Sequence, residues 1–443
     1  MNRLRAVLVA LFCFAFLASA GSAAASSAPL GALKRAQQQL RALTTNAHSP
    51  GDRKRLATAY VYVARATFPP LWIDAKDAVA PGYGTLVFAY SRAALATLQP
   101  VAPSAALLAS EKLILGADRG LAQSVIHDAA GGGGLLARAQ GMVRSGNRWA
   151  AAGRFAVAAE QYGVAWLDAF AALTPLVVTA ATNVPAGPLG DAAENALGST
   201  QVSLAAVDLL KNQPPLTANG KPEVLFIGAE PCPYCATERW GMVVALSQFG
   251  TFSNLKLIQS ATTEHPIVRS FTFHDSGYQS PYISFVPVEL TSNVVGRGGR
   301  YQRLQQLTPA QNALFKELAP RPTVPVVDVA NQTANVGSTV SPTLTGGLSW
   351  MKLASSLKHP NSISGQAIAG TAEVLTAEIC QATGGAPASV CGSAVVQDYE
   401  AALPRLDGQG GGCPPTSAAA PADDRAAGRG DTPVATAARC HGR

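Results

Sequence analysis

Val224-Leu225-Phe226-Ile227-Gly228-Ala229-Glu230-Pro231-Cys232-Pro233-Tyr234-Cys235 is the stretch on which the reading of this chain turns. Its first five residues form a continuous apolar run rich in β-formers, the pattern of a strand buried on both faces. A Glu-Pro turn follows, and Cys235 to Gln248 then read as a helix. A cysteine opening such a helix meets unpaired backbone N–H groups and the positive end of the helix dipole, both of which favour its thiolate. Pro233 suits the first helical turn, and Cys235 lies one turn further on, facing back. Thiolate attack on a disulfide leaves a mixed disulfide that a second thiol within reach must release. The spacing therefore makes Cys232 the attacking and Cys235 the resolving sulfur.

A lone C-x-x-C also serves as half of a zinc ribbon or as a structural disulfide. No second C-x-x-C occurs in the chain, and Cys380 and Cys391 are spaced unlike a zinc knuckle. No metal and no cofactor is therefore assigned. His265 and His274, flanked by Glu264 and Asp275, read as exposed loop residues. Cys380 and Cys391 bracket a helix end and a Gly/Pro loop, and closing a loop of this size stabilises by roughly 3 kcal/mol in the chain-entropy model. They read as a structural disulfide, the alternative being a second redox pair that feeds the first. Whether Cys413 and Cys440 pair stays open.

Downstream of the dithiol, Leu255 to Ala261 reads as a second strand. Ile267 to Phe273 and Tyr282 to Leu290 read as two extended pieces of an insertion. Thr308-Pro309-Ala310-Gln311 opens a helix, with Thr as cap and Pro at the first helical position, running to about Leu318. Val324-Pro325-Val326-Val327-Asp328-Val329 is another buried-strand run, and Val336 to Leu344 is read as the last strand. Helices follow near Ser349 to Leu357 and Ser364 to Ala382. After Leu403 the composition is Gly, Ala, Pro and Asp in low-complexity order, which buries too little apolar surface to order the chain, so 404–443 is expected as a disordered tail.

Upstream, 30–211 is Ala- and Leu-rich with apolar residues three and four apart, as in Phe155, Val157, Ala158, Tyr162 and Trp166. Breaks at Phe68-Pro69-Pro70, Pro100 to Pro103 and Gly131 to Gly134 predict an all-α domain of about six to eight helices, the last from Asp191 to Leu210. No repeat near 34 residues is present. Tyr60, Tyr62, Trp72, Tyr90, Trp149 and Trp166 are read as core rather than as a ligand groove. Residues 212–220, rich in Pro, Asn and Gly, read as a linker, with the second domain over 221–403.

The chain's start carries Arg3 and Arg5, an apolar run from Ala6 to Ala18 and the small-x-small Ala18-Ser19-Ala20, which predicts a cleaved signal peptide over 1–20. Every later apolar run is interrupted, so no membrane span is expected after cleavage. At 443 residues, 14% charged and net +7, with the basic residues scattered, the chain is long enough for two or three domains and lacks the basic patch of a nucleic-acid binder. Of seven cysteines, Cys13 falls in the leader; the remaining even number suits a secreted or cell-envelope protein.

The order strand, C-P-Y-C, helix resembles the thioredoxin superfamily, and the Pro-Tyr pair between the cysteines is similar to that of glutaredoxins. In that fold a cis X-Pro bond precedes a central strand beside the dithiol, and Val324-Pro325 stands in the matching place. More narrowly, about Pro222 to Tyr399 resembles an uncharacterised thioredoxin-like family of archaeal and actinomycete proteins. That likeness rests on Phe226 to Cys235, Val324 to Asn331 and the Cys380–Cys391 segment. It implies a thioredoxin-like α/β C-terminal domain behind the helical one, with Val324, Pro325, Pro233 and Tyr234 contacting substrate. Two departures leave the direction of electron flow open. Phe226 stands where thioredoxins keep a buried acid, and no Trp precedes Cys232. Glu230 reads as solvated at the turn.

The expected function is an exported thiol–disulfide oxidoreductase acting on protein thiols or disulfides and reloaded by a separate redox partner. The rival readings are a non-catalytic envelope binding protein in which 232–235 is a permanent disulfide, and a metal carrier using both cysteines and a histidine.

Overall fold

The computed structural model describes residues 28–73, 78–295 and 300–403. The expected signal peptide, the low-complexity tail and Cys13, Cys413 and Cys440 lie outside these residues. The described residues fall within one compact unit, a helical N-terminal region followed by a mixed α/β region.

Among the described residues the first region holds seven α-helices: α1 (Pro29–Asn46), α2 (Pro50–Ala66), α3 (Gly84–Leu98), α4 (Ala105–Asp128), α5 (Gly133–Ala151), α6 (Phe155–Thr182) and α7 (Ala186–Ala196). Their starts are written locally. Ser49 and Ser104 cap α2 and α4 by accepting from the N–H groups of Asp52 and Leu107. Helix α6 is the axis of the region, with Ala158, Tyr162 and Trp166 buried in the helical core and Leu173, Val177 and Ala181 in a second core shared with the α/β region. By length and composition α6 also suffices to cross a membrane. Its Asp168 pairs with Arg138 at 3.0 Å. Trp72 and Trp166 are buried, whereas Trp149 is 41% exposed.

The predicted helix Asp191–Leu210 is shorter than expected. Helix α7 ends at Ala196, a 3-10 turn covers Leu204–Ala206, and β1 (Val207–Leu209) follows. Nor do residues 212–220 run free. Leu216 N–H donates to Ala330 O, Asn331 Nδ2 to Pro214 O, and β2 (Thr217–Ala218) pairs with the next strand.

The main sheet is built on β3 (Lys221–Gly228), which pairs in parallel with β8 (Ser284–Glu289) and antiparallel with β11 (Val326–Val329). β12 (Thr333–Val336) lies antiparallel beyond β11, and β1 closes that edge. Alternate residues of β3 enter different cores. Val224 and Phe226 join the core shared with α8 (Pro233–Phe249) and α11 (Ile363–Ala382), while Leu225 and Ile227 join a smaller one with Phe315 of α9 (Pro309–Leu318). This two-sided burial is why the run carries no polar residue.

The parallel neighbour of β3 differs from the expectation. β5 (Lys256–Gln259) pairs with β6 (Arg269–Thr272) in a separate ribbon, and β4 (Thr251–Ser253) with β7 (Gly277–Gln279) in another. The segment read as an insertion thus supplies, in β8, a strand of the main sheet. The expected strand 336–344 is also displaced. β12 stops at Val336 before Gly337 at φ 95°, and Pro342–Leu344 forms a 3-10 turn. Between β8 and α9 the chain adds a hairpin of β9 (Thr291–Val295) and β10 (Tyr301–Arg303).

Helix α9 begins as expected, with Thr308 and Gln311 forming a reciprocal capping box. α10 (Trp350–Ser356) meets α6 through stacked Trp166 and Phe170 and an edge-to-face contact of Phe170 with Trp350 at 5.7 Å. α12 (Ala388–Cys391) and α13 (Ala394–Ala402) end the described chain. Cys380 and Cys391 form a disulfide with Cα atoms 5.6 Å apart, tying the end of α11 to α12.

Helices α8 and α11 approach closely because Gly241 presents no side chain to Thr371, whose methyl a Cβ at 241 would strike. Gly241→Ala is accordingly expected to lower stability by about 1–3 kcal/mol through overpacking, read as a reduced urea midpoint at unchanged slope.

Candidate functional site

β3 ends at Gly228 against the sheet, and the chain then turns through Ala229, Glu230 and Pro231 to deliver Cys232 as the N-cap of α8. Its backbone is extended, so the side chain turns back over the helix start. There the sulfur accepts a hydrogen bond from Cys235 N–H at 3.2 Å. This is the capping geometry normally filled by a Ser or Asp oxygen, occupied here by sulfur. Pro233 takes the first helical position, where no N–H is needed. Tyr234 is 52% exposed beside it. Cys235, one turn in, is fully buried, and neither cysteine is disulfide-bonded.

Val324 and Pro325 come to this point from the start of β11, the strand paired directly with β3. The Val324–Pro325 peptide is cis, and the Val324 carbonyl lies 3.6 Å from Cys232 Sγ, within reach of a thiol donor. Of the residues singled out from the sequence, Cys232, Cys235, Pro233, Tyr234, Val324 and Pro325 thus converge on one spot. The Cys380–Cys391 disulfide belongs to the other end of α11.

The two sulfurs are electrostatically unlike. The Cys232 thiol is pulled down to about 7, first by the hydrogen bond its sulfur takes from the Cys235 side chain. The N–H groups of Cys235 and Tyr234 and the charge of Arg239 act in the same sense, against the opposing effect of burial. Cys235 is pushed well up, mainly by burial and then by its neighbour's sulfur, with Arg239 opposing. An exposed-edge thiolate and a buried protonated thiol is the division of labour that attack followed by resolution requires.

Three charged residues around the pair were not singled out as a group from the sequence. Arg239, one helical turn beyond Cys235, is completely buried and grips Glu289 at the end of β8 through two bonds, Nε to Oε1 at 2.8 Å and Nη2 to Oε2 at 2.7 Å. Burial works against its charge, and Glu289 outweighs that, keeping the guanidinium protonated. The guanidinium also lies over the Phe226 ring, 5.6 Å from its centroid. The signal available was the (i, i+4) spacing of Arg239 from Cys235 on a predicted helix. Its partner Glu289, 50 residues away in sequence, carried no local signal.

Glu230, expected to be solvated, is only 6% exposed. Its carboxylate accepts from Thr272 Oγ1 at 2.7 Å and from Asn293 N–H at 3.0 Å, because β6 and β9 fold over the turn that carries it. Beside it a cleft of about 390 Å³ opens between Phe170 and Thr174 of α6 and Lys256 and Gln259 of β5. A larger cavity of about 570 Å³, lined by Leu95, Leu107, Glu111 and Phe155, lies in the helical region and takes no part in the dithiol. His274 sits 3.3 Å from Asp275. Among the described residues no three His, Cys, Asp or Glu side chains are grouped to hold a metal ion.

Residues 209–381 match a family described as a domain of unknown function (DUF929). The matched stretch takes in β3, the dithiol, the Val324–Pro325 segment and most of α11, and stops short of the helical region. No curated protein and no solved structure matches the chain.

Proposed function

We propose that the chain is an exported thiol–disulfide oxidoreductase, with a thioredoxin-like α/β region whose Cys232 and Cys235 exchange disulfides with protein thiols. The observation that carries this reading is the Cys232 sulfur itself. It caps a helix, is lowered to about 7, stands at the edge of solvent and has a second, buried thiol one turn behind it. The sheet supports the thioredoxin likeness. Its strands run β8-β3-β11-β12-β1, the first pair parallel and the rest antiparallel, with β2 also on the start of β3, α8 after β3 and α9 between β8 and β11. The Cys380–Cys391 disulfide fits an oxidising compartment, in line with the signal peptide expected over 1–20.

In the exchange, the Cys232 thiolate attacks one sulfur of a substrate disulfide, forming a Cys232–substrate bond as the substrate's own S–S bond breaks and its other sulfur departs as a thiolate with the bonding electrons. Cys235 then attacks Cys232 Sγ. The enzyme disulfide closes, and the substrate sulfur that was bonded to Cys232 leaves with the bonding electrons and takes the Cys235 proton. Run backwards, the same steps oxidise a substrate dithiol. Tyr234 and the Val324 carbonyl flank the attacking sulfur, where a bound chain would lie.

Equilibration of the purified protein in graded glutathione buffers, followed by trapping of free thiols, tests the reading. The expected result is one reversible two-electron transition of the 232–235 pair, with a potential between about −120 and −270 mV, the span from strong oxidants to thioredoxin-type reductants. A pair that stays closed in strongly reducing buffer would make it a permanent disulfide and end the enzyme reading.

A further inference from the structure

The dithiol description leaves a buried ion pair unexplained. Arg239 and Glu289 are both without solvent exposure, and such a pair stabilises a fold little better than apolar side chains would. Glu289 is well satisfied: it takes both Arg239 bonds and one from Phe273 N–H at 3.3 Å. Arg239 is not. Its Nη1 is buried with no hydrogen-bond partner, in a side chain one turn beyond Cys235 on the same helix. A buried guanidinium donor left without a partner is costly, and its charge is useful where a nearby sulfur must become an anion.

We propose that Arg239 is a positioning residue of the dithiol, its guanidinium held by Glu289 so that its charge favours the thiolate of Cys232 and, once a mixed disulfide has formed, that of Cys235. The inference rests on the oxidoreductase reading of the same site. It supplies what Phe226 cannot: β3 carries no acid facing the dithiol, so resolution depends on stabilising the Cys235 anion as its proton goes to the departing substrate sulfur. The charged groups around the sulfurs are Arg239 on α8, Glu289 on β8 and Glu230 in the preceding turn. Arg239 acts on both sulfurs. Glu230 is engaged by Thr272 and Asn293. Glu238, also on α8, is directed to Ser338 and Thr339, and from the β11 side the uncharged Val324 carbonyl lies 3.6 Å from Cys232 Sγ.

The test is the pH profile of iodoacetamide alkylation of reduced Cys232, which needs no substrate. Arg239→Met alone leaves Glu289 buried and unpaired, so the variant is Arg239→Met with Glu289→Gln, which removes both charges and keeps the Phe273 N–H acceptor. The profile is expected to move up by about one pH unit. The equilibrium with glutathione at pH 9 is expected to shift about tenfold towards the enzyme disulfide, about 30 mV more reducing. Arg239→Lys, which keeps the charge, should titrate close to the parent. A double variant that folds and titrates like the parent overturns the role of Arg239 while leaving the exchange reading intact. A parent protein whose pair never opens in the glutathione titration overturns that reading instead.

Discussion

Cys232→Ser is expected to lower disulfide exchange, read as reduction of insulin by the dithiothreitol-charged protein, by at least about a thousandfold, because the hydroxyl is neither ionised nor nucleophilic towards sulfur at neutral pH. The loss should not come from unfolding. Ser is a good N-cap, and its oxygen can take the Cys235 N–H bond that the sulfur accepts at 3.2 Å. Cys235→Ser should behave differently. Attack remains possible but resolution is blocked, so the variant should accumulate a covalent adduct with substrate that dithiothreitol releases. The parent's rate should also rise with pH through about 7, where Cys232 ionises, and fall about tenfold per unit well below it. Full exchange activity in Cys232→Ser would remove the dithiol from the chemistry.

Glu289→Ala carries the largest expected effect on stability. It strands the Arg239 guanidinium, which is wholly buried and loses both charged hydrogen bonds. Breaking a buried pair by removing one partner costs about 3–5 kcal/mol, whereas replacing both partners is nearly neutral. The single variant should therefore lose most of its urea resistance, and the Arg239→Met/Glu289→Gln pair should recover the greater part. Equal stability of Glu289→Ala and parent would mean that water reaches the guanidinium and that the pair is not a strut.

The same pair marks the limit of what the sequence discloses. Features set by neighbours in the chain are legible. The apolar run of β3 betrays a strand covered on both sides, Thr308-Pro309 and Gln311 announce the start of α9, and the dithiol falls on a helix start because Pro233 sits at its first position. Features set by partners far along the chain are not. Both Leu257 in the β5–β6 ribbon and Val286 in β8 lie in extended apolar runs, and nothing local says that only the second lies beside β3. Glu230 looks like a turn residue in water until β6 and β9 bring Thr272 and Asn293 over it. A carboxylate's surroundings are a tertiary property, so its burial is hidden where its position is plain.

The strand Val207–Leu209 carries a consequence for how the chain can be divided. It follows the helical region yet supplies the edge of the main sheet, pairing with β12. Behind it, Ala193 of α7 accepts a hydrogen bond from Tyr399 of α13, and α6 and α7 fill the core beneath α11. A cut at 211 or 220 would leave β12 with a row of open backbone groups and α11 with a bare apolar flank, a sticky margin inviting a second molecule. The helices are therefore no passenger on the dithiol-bearing half: part of the scaffold that holds β11 and its neighbours in register is written before the sheet's first long strand begins.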